Sequence, residues 1–335
     1  MTQTAGAGNP AIIGHLWAIE LLQRGIATGR LSHAYLFTGP ARIGKTSLAL
    51  YLAQALNCLA AEGRPCGSCG ACVRISRGLH PDVCVIDGTS SIKIDQIRQM
   101  QVEMALSPFE GRRRVYVLCN FQQATLEASN CLLKTLEEPP SRTTLILTST
   151  EAEALPATIV SRCQVLRLRP LAVAEVEQAL QIHWQVEPQQ AATLARISQG
   201  RIGWAIEASS SDAVMHDRDK YLTALEHILR EDRTGRMGLA QQLCRNPQGL
   251  PDILDLWQSW WRDVLLVKSG NTESVTNVDR QPTLLAEAGD CTLGQVRRCL
   301  RAIQEAIEHV EQNVNPCLAM EVLLLRMPRM PVTVY

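Results

Sequence analysis

The chain has 335 residues, of which 46% are hydrophobic and 20% charged, with 33 basic and 33 acidic side chains. That length accommodates two or three domains, and the composition is that of an ordinary globular protein. A formal net charge of zero excludes a whole-molecule attraction to nucleic acid and leaves open only a local basic face.

Residues 1–10 are small and polar with Gly and Pro, and are expected to form a loose tail. No basic segment followed by an apolar core stands in Met1 to Gly14, so no signal peptide is expected. No run of about 18 apolar residues occurs, so no membrane span is expected. Ile12, Ile13, Leu16, Ile19, Leu21, Leu22 and Ile26 predict an amphipathic helix within Ile12–Gly29.

Ala34-Tyr35-Leu36-Phe37-Thr38 is an apolar run that predicts a buried strand. It leads into Gly39-Pro40-Ala41-Arg42-Ile43-Gly44-Lys45-Thr46, which fits G-x-x-x-x-G-K-[ST], the P-loop. Leu48, Leu50, Leu52, Ala53 and Leu56 then predict a helix over Ser47–Asn57. Strand, glycine loop and helix form an anion cradle of backbone N–H groups at a helix N-terminus. Gly39 and Gly44 shape the loop, Lys45 adds charge near the outer phosphates, and Thr46 offers a hydroxyl to Mg²⁺. A glycine turn that merely matches the pattern is the bland alternative.

Cys58, Cys66, Cys69 and Cys72 follow, the last three in C-G-x-C-G-x-C spacing. Tight turns at Gly67 and Gly70 suit four thiolates closing on one Zn²⁺ at about 2.3 Å. Four protein ligands leave no open position, so the ion is expected to be structural, a clip on the end of the P-loop helix. Four free thiols in a loop are the alternative. Twelve cysteines beside a P-loop, without a signal peptide, fit a reducing cytoplasm.

His80–Asp87 predicts a turn and short buried strand, and Ile94–Leu106 a helix. Arg112-Arg113-Arg114 reads as a solvated strand entry, with phosphate contact as the alternative. Val115–Leu118 is the next strand. In a hydrolysing P-loop enzyme it ends in acids that hold Mg²⁺ and polarise water. Here it ends in Cys119-Asn120-Phe121, and the nearest acid downstream is Glu127. The site is therefore expected to take ATP with Mg²⁺ weakly held or absent. A helix over Thr125–Glu138 stopped by Pro139-Pro140, a strand over Thr144–Thr150, a short helix over Pro156–Arg162 and a strand over Val165–Leu168 complete residues 1–170. Alternating strands and helices predict an α/β fold with a parallel sheet covered on both faces.

Leu132-Leu133-Lys134-Thr135-Leu136-Glu137-Glu138-Pro139-Pro140 and Leu155-Pro156-Ala157-Thr158-Ile159-Val160-Ser161-Arg162-Cys163 resemble the AAA+ clamp-loader subunits of bacterial DNA polymerase III. His33-Ala34-Tyr35-Leu36-Phe37, the P-loop, the four cysteines and the tail Asn315–Arg326 follow in the same order. The resemblance spans nearly the whole chain and is dense from about 30 to 205. In that family the hydrolysing branch (gamma/tau) carries an Asp-Glu pair where this chain has Cys119-Asn120, and a lid arginine where it has Gly203, with Arg201 nearby. Both departures resemble the non-hydrolysing, delta-prime branch. The intact P-loop points the other way. The resemblance implies that Arg162 acts in trans, as an arginine finger on nucleotide held by the next subunit; an ordinary helix-terminal Arg is the alternative. It places the strand-end polar sensor at Ser149 and Thr150.

The resemblance also makes residues 171–210 a small helical lid and 211–335 a helical collar that packs beside its counterparts. Trp257, Trp260 and Trp261 stand at helical spacing and are read as core rather than subunit contacts. Implied partners are sibling subunits of gamma/tau and delta type, the sliding clamp, and primed DNA through its phosphates, with no membrane. An ATP-hydrolysing subunit with Glu127 as stand-in acid, and a zinc-containing nucleotide switch acting alone, are the rival readings.

Overall fold

The computed structural model describes residues 12–88, 91–311 and 315–330; the tail expected over 1–10 lies outside them. Two compact units are present, Met1–Gln185 with Gly200–Trp204, and Val186–Gln199 with Ala205–Tyr335.

The first unit runs α1 (Leu16–Ala27), β1 (Ala34–Thr38), α2 (Lys45–Asn57), α3 (Gly70–Ser76), β2 (Val83–Ile86), α4 (Ile94–Met104), β3 (Arg114–Leu118), α5 (Leu126–Glu137), β4 (Thr143–Ser149), α6 (Ala157–Val160), β5 (Gln164–Arg167) and α7 (Val173–Trp184). The five strands are parallel in the order β2-β3-β4-β1-β5. β1 lies inside the sheet and is buried along its whole length, which is why it reads as one apolar run. Its side chains alternate between two cores. Tyr35 and Phe37 join Leu22, Leu48, Leu52, Val117 and Ile146, while Ala34 and Leu36 join Ile97, Met100, Leu118, Leu132 and Leu147. The register pairs Thr38 with Ser149, Leu118 with Leu147, and Ile86 with Leu118. The carboxyl ends of β1 to β4 therefore line one edge of the sheet, where open α/β sheets carry their ligands.

The elements depart little from expectation, with one addition and one correction: β2, expected to be buried, is the edge strand of the sheet and leaves Val85 exposed. The cysteine segment was expected as turns, but Gly70 opens the helix α3, with Cys69 as its N-cap. Positions three apart on a helical turn face the same side, so Cys69 and Cys72 are presented together. Of the arginine run, Arg112 is exposed, as a solvated strand entry requires, while Arg114 is tied into the fold. Arg114 donates to the carbonyls of Glu103 at 2.7 Å and Ser107 at 3.1 Å, and the Arg113 amide donates to Asn57 Oδ1 at 3.0 Å. Nearby, the buried Asp82 carboxylate accepts the amides of Phe109, Glu110 and Gly111 at 2.7, 2.9 and 2.7 Å, fixing the loop before β3.

The second unit is helical among the described residues: α8 (Pro188–Ile197), α9 (Ile202–Ser210, whose first three residues group with the first unit), α10 (Asp212–Arg230), α11 (Arg233–Leu243), α12 (Leu250–Lys268), α13 (Gln281–Asp290), α14 (Leu293–Glu311) and α15 (Pro316–Arg326). Trp257, Trp260 and Trp261 of α12 are fully buried at its centre, as their spacing predicts. Two of the three indoles find partners there, while Trp261 Nε1 is buried without one among the described residues. Trp257 Nε1 donates to the Tyr221 carbonyl at 3.1 Å and Trp260 Nε1 to Glu287 Oε2 at 2.6 Å. The polar stretch after α12 is held by Asp263, whose Oδ2 accepts the amides of Thr276 and Asn277 at 2.9 and 2.7 Å. Arg236 is buried and donates to four carbonyls, those of Ile228, Leu324, Met327 and Pro328, at 2.7 to 3.0 Å.

Candidate functional site

The P-loop joins β1 to α2 in the geometry its motif requires. Gly39 has φ 145°, and a Cβ there would stand 2.6 Å from the Leu168 carbonyl oxygen, so only glycine fits. Gly44, at φ 105°, is the N-cap of α2. The Gly39 amide donates to the Thr150 carbonyl at 2.9 Å, tying the loop to the end of β4. Lys45 is almost wholly buried and donates to the Gly39 and Pro40 carbonyls at 2.6 and 2.8 Å. Burial pulls its pKa down to about 8. Positive-φ glycines, a helix N-terminus and a lysine fit a phosphate group, which would replace the loop carbonyls as the lysine's partner.

Magnesium is another matter. Thr46 Oγ1 faces Cys119 Sγ at 3.7 Å, just beyond the end of β3. Burial pushes the Cys119 thiol up, with a further push from the charge of Asp87, so the group opposite Thr46 is neutral sulfur at neutral pH. Mg²⁺ demands hard oxygen ligands, and this pair does not fit it. Asp87, which follows β2, was not singled out from the sequence. The signal for it is the pairing of β2 with β3, which sets the residues after Ile86 and Leu118 side by side. Glu127 lies exposed in the first turn of α5. Asn120 adopts a left-handed conformation and its amide donates to Thr148 Oγ1 at 3.0 Å. The Ser149 hydroxyl is turned to the Glu151 carbonyl at 2.7 Å.

Gly203 packs directly on the P-loop. Its amide donates to the Arg42 carbonyl at 2.8 Å, and Arg42 itself has φ 59°. The position where the hydrolysing branch resembled above carries an arginine is here backbone against backbone.

Cys58, Cys66, Cys69 and Cys72 converge, with all four Sγ atoms within 4.8 Å of one another. Cys58 caps the C-terminus of α2 and Cys69 the N-terminus of α3, with their sulfurs 4.0 Å apart. The amides of Cys66 and Cys69 donate to the sulfurs of Cys58 and Cys66 at 3.4 and 3.3 Å. Such donors favour thiolate, and the amides of Cys69 and Ser68 bring the Cys66 thiol down to about 6. Gln54 of α2 donates to the Cys72 carbonyl at 3.0 Å and fastens the module to the P-loop helix. Four convergent sulfurs with backbone donors suit a tetrahedral ion such as Zn²⁺.

Arg162 follows α6. Its Nη2 donates to Glu137 Oε1 at 2.7 Å, and its Nη1 to the Thr158 carbonyl at 3.0 Å and Ser161 Oγ at 3.3 Å.

The family described as "DNA polymerase III, delta subunit" matches residues 14–172, and "DNA polymerase III, delta subunit, C terminal" matches residues 213–328. DNA polymerase III subunit delta' of Bacillus subtilis is 33% identical over 318 residues, which cover 92% of this chain and 94% of that protein. DNA polymerase III subunit tau of Escherichia coli is 35% identical over 224 residues, 65% of this chain but 35% of the longer relative. A solved gamma-subunit-related DNA polymerase III protein of Thermotoga maritima aligns over 92% of this chain and 98% of its own at 16% identity, with a TM-score of 0.43. On the strength of a relative one-third identical along nearly all of its length, this chain belongs to the delta-prime family of DNA polymerase III clamp-loader subunits.

Proposed function

We propose that this chain is a non-hydrolysing clamp-loader subunit that stimulates ATP hydrolysis on a neighbour. The observation that carries the reading is the neutral Cys119 sulfur 3.7 Å from Thr46 Oγ1, where a carboxylate is needed to hold Mg²⁺. Lys45, Thr46, Gly39 and Gly44 would bind the phosphates of ATP, with Mg²⁺ weakly held or absent. Gly203 contributes no charge toward nucleotide. The four cysteines would hold a structural Zn²⁺ that pins the end of α2 and leaves no open position for catalysis.

Arg162 would supply its guanidinium to the γ-phosphate held by the next subunit, stabilising charge that develops there. Residues 171–210 would act as the lid and 211–335 as the collar that packs against gamma/tau and delta siblings. The assembly would place a sliding clamp on primed DNA, with any contact from this subunit falling on phosphates, independent of sequence.

The intact P-loop favours nucleotide binding here, and with it the second reading, an ATP-hydrolysing subunit of gamma/tau type. ATPase assays of the purified chain, alone and reconstituted with its siblings, separate the two. The isolated chain is expected to be inert, and Arg162→Ala to slow hydrolysis at the neighbouring site it serves about 10³-fold or more, as loss of an arginine finger does, with the variant's melting curve unchanged. Steady turnover by the chain alone would overturn the proposal.

A further inference from the structure

The Glu137–Arg162 pair joins two elements that the core already holds rigid. Glu137 ends α5 directly after Leu136, which is 2% exposed, and Arg162 follows α6, whose Ile159 is fully buried in the same cluster. The two side chains therefore meet over a fixed backbone dock, with Nη2 to Oε1 at 2.7 Å.

The acid is not there to suit its own helix. Glu137 and Glu138 stand together at the carboxyl end of α5, where the helix dipole disfavours negative charge. A sequence that breaks a local rule of this kind commonly does so at a working site. The guanidinium of Arg162 is the counter-charge, and its other arm is taken up by the Thr158 carbonyl and Ser161 hydroxyl at the end of α6. A guanidinium has five N–H donors. Three are engaged in these bonds, and two remain for an incoming anion.

We infer that Glu137 is a positioning residue for Arg162, fixing the guanidinium at the subunit surface before a neighbour's phosphate reaches it; this rests on the arginine-finger reading above. An arginine side chain has several rotatable bonds, and ordering them only at the moment of reaction raises the barrier. Glu137 orders the arm beforehand. The pair is partly exposed, so its effect is modest and confined to the chemical step.

The test is steady-state ATP hydrolysis by the assembly reconstituted with sibling subunits, comparing wild type, Glu137→Ala, Glu137→Gln, Arg162→Ala and Glu137→Ala/Arg162→Ala. Glu137→Ala is expected to lower kcat about threefold to fivefold, the range of a partly exposed ion pair, with KM for ATP unchanged. Glu137→Gln, which still accepts a hydrogen bond from Nη2, is expected to recover part of the loss. The double variant is expected to be no slower than Arg162→Ala. An unchanged or raised kcat in Glu137→Ala, with Arg162→Ala slowed, overturns the positioning role and leaves the finger standing. So does a double variant slower than Arg162→Ala. If Arg162→Ala itself turns over like wild type, the finger reading falls and this inference with it.

Discussion

The Gly203 amide is bonded to the Arg42 carbonyl at 2.8 Å, and a Cβ built on Gly203 would stand 2.6 Å from that same oxygen. No side chain fits without moving the P-loop backbone. Gly203→Ala is expected to destabilise the chain by about 1–3 kcal/mol, the usual cost of overpacking against backbone. Denaturant unfolding measures it. A variant as stable as wild type would mean that the loop yields freely and that the close approach is incidental.

Cys119 stands opposite Thr46, so Cys119→Asp offers an oxygen ligand where sulfur now lies. ATP binding in the presence of Mg²⁺ is expected to tighten about tenfold, equivalent to about 1.4 kcal/mol, with no gain when Mg²⁺ is chelated. Calorimetric titration with and without the metal reads the difference. Without nucleotide the same variant is expected to melt lower, because it buries a carboxylate. Equal gains with and without Mg²⁺ would show that the missing ligand is not what weakens metal binding.

Metal analysis of protein purified without chelator is expected to give about one zinc per chain if the four sulfurs close one site. Cys69→Ser removes a ligand while leaving a good N-cap residue at the start of α3, so zinc content and melting temperature should fall together through loss of the metal alone. A metal-free chain with an unchanged melting curve would defeat the structural role.

Glu287 is buried beside Trp260, and burial lifts its pKa to about 7, only partly opposed by the indole N–H bond. A carboxyl whose folded pKa lies above its ordinary value favours the protonated form when folded. Its stabilising contribution is therefore complete below the ordinary value of about 4.5 and is lost as pH rises through about 7. Glu287→Gln keeps an acceptor for the indole and cannot ionise. The melting temperature of the variant relative to wild type is expected to rise between pH 5 and pH 8, on the order of a few degrees. A flat difference across that range would mean that Glu287 ionises freely in the folded chain.

Strands and helices were legible because their signals are local. Ala34–Thr38 announces a buried strand by composition alone, and the cysteines announce their convergence by spacing. What resisted reading depends on strand order, which no local pattern encodes. Asp87 becomes a neighbour of Cys119 only because β2 pairs with β3, and the Glu137–Arg162 pair spans 25 residues. The Arg42–Gly203 contact spans far more of the chain, and Gly203 carries no side chain to mark it. Arginine runs mislead in the opposite sense. Arg114 looks like surface charge in sequence, yet Nη1 and Nη2 each donate to a carbonyl at the entrance to β3 and Nε lies 3.5 Å from the buried Asp82 carboxylate.

Arg236 is a buried cation whose partners in the structure are four carbonyl oxygens, among them those of Ile228 near the end of α10 and Leu324 near the end of α15. Dipoles fixed in the interior are screened far less by dissolved ions than exposed charge pairs are. The junction of α10, α11 and α15 should therefore hold as firmly in concentrated salt as in dilute buffer. A lysine, with one ammonium and three donors, cannot reproduce that four-way clasp.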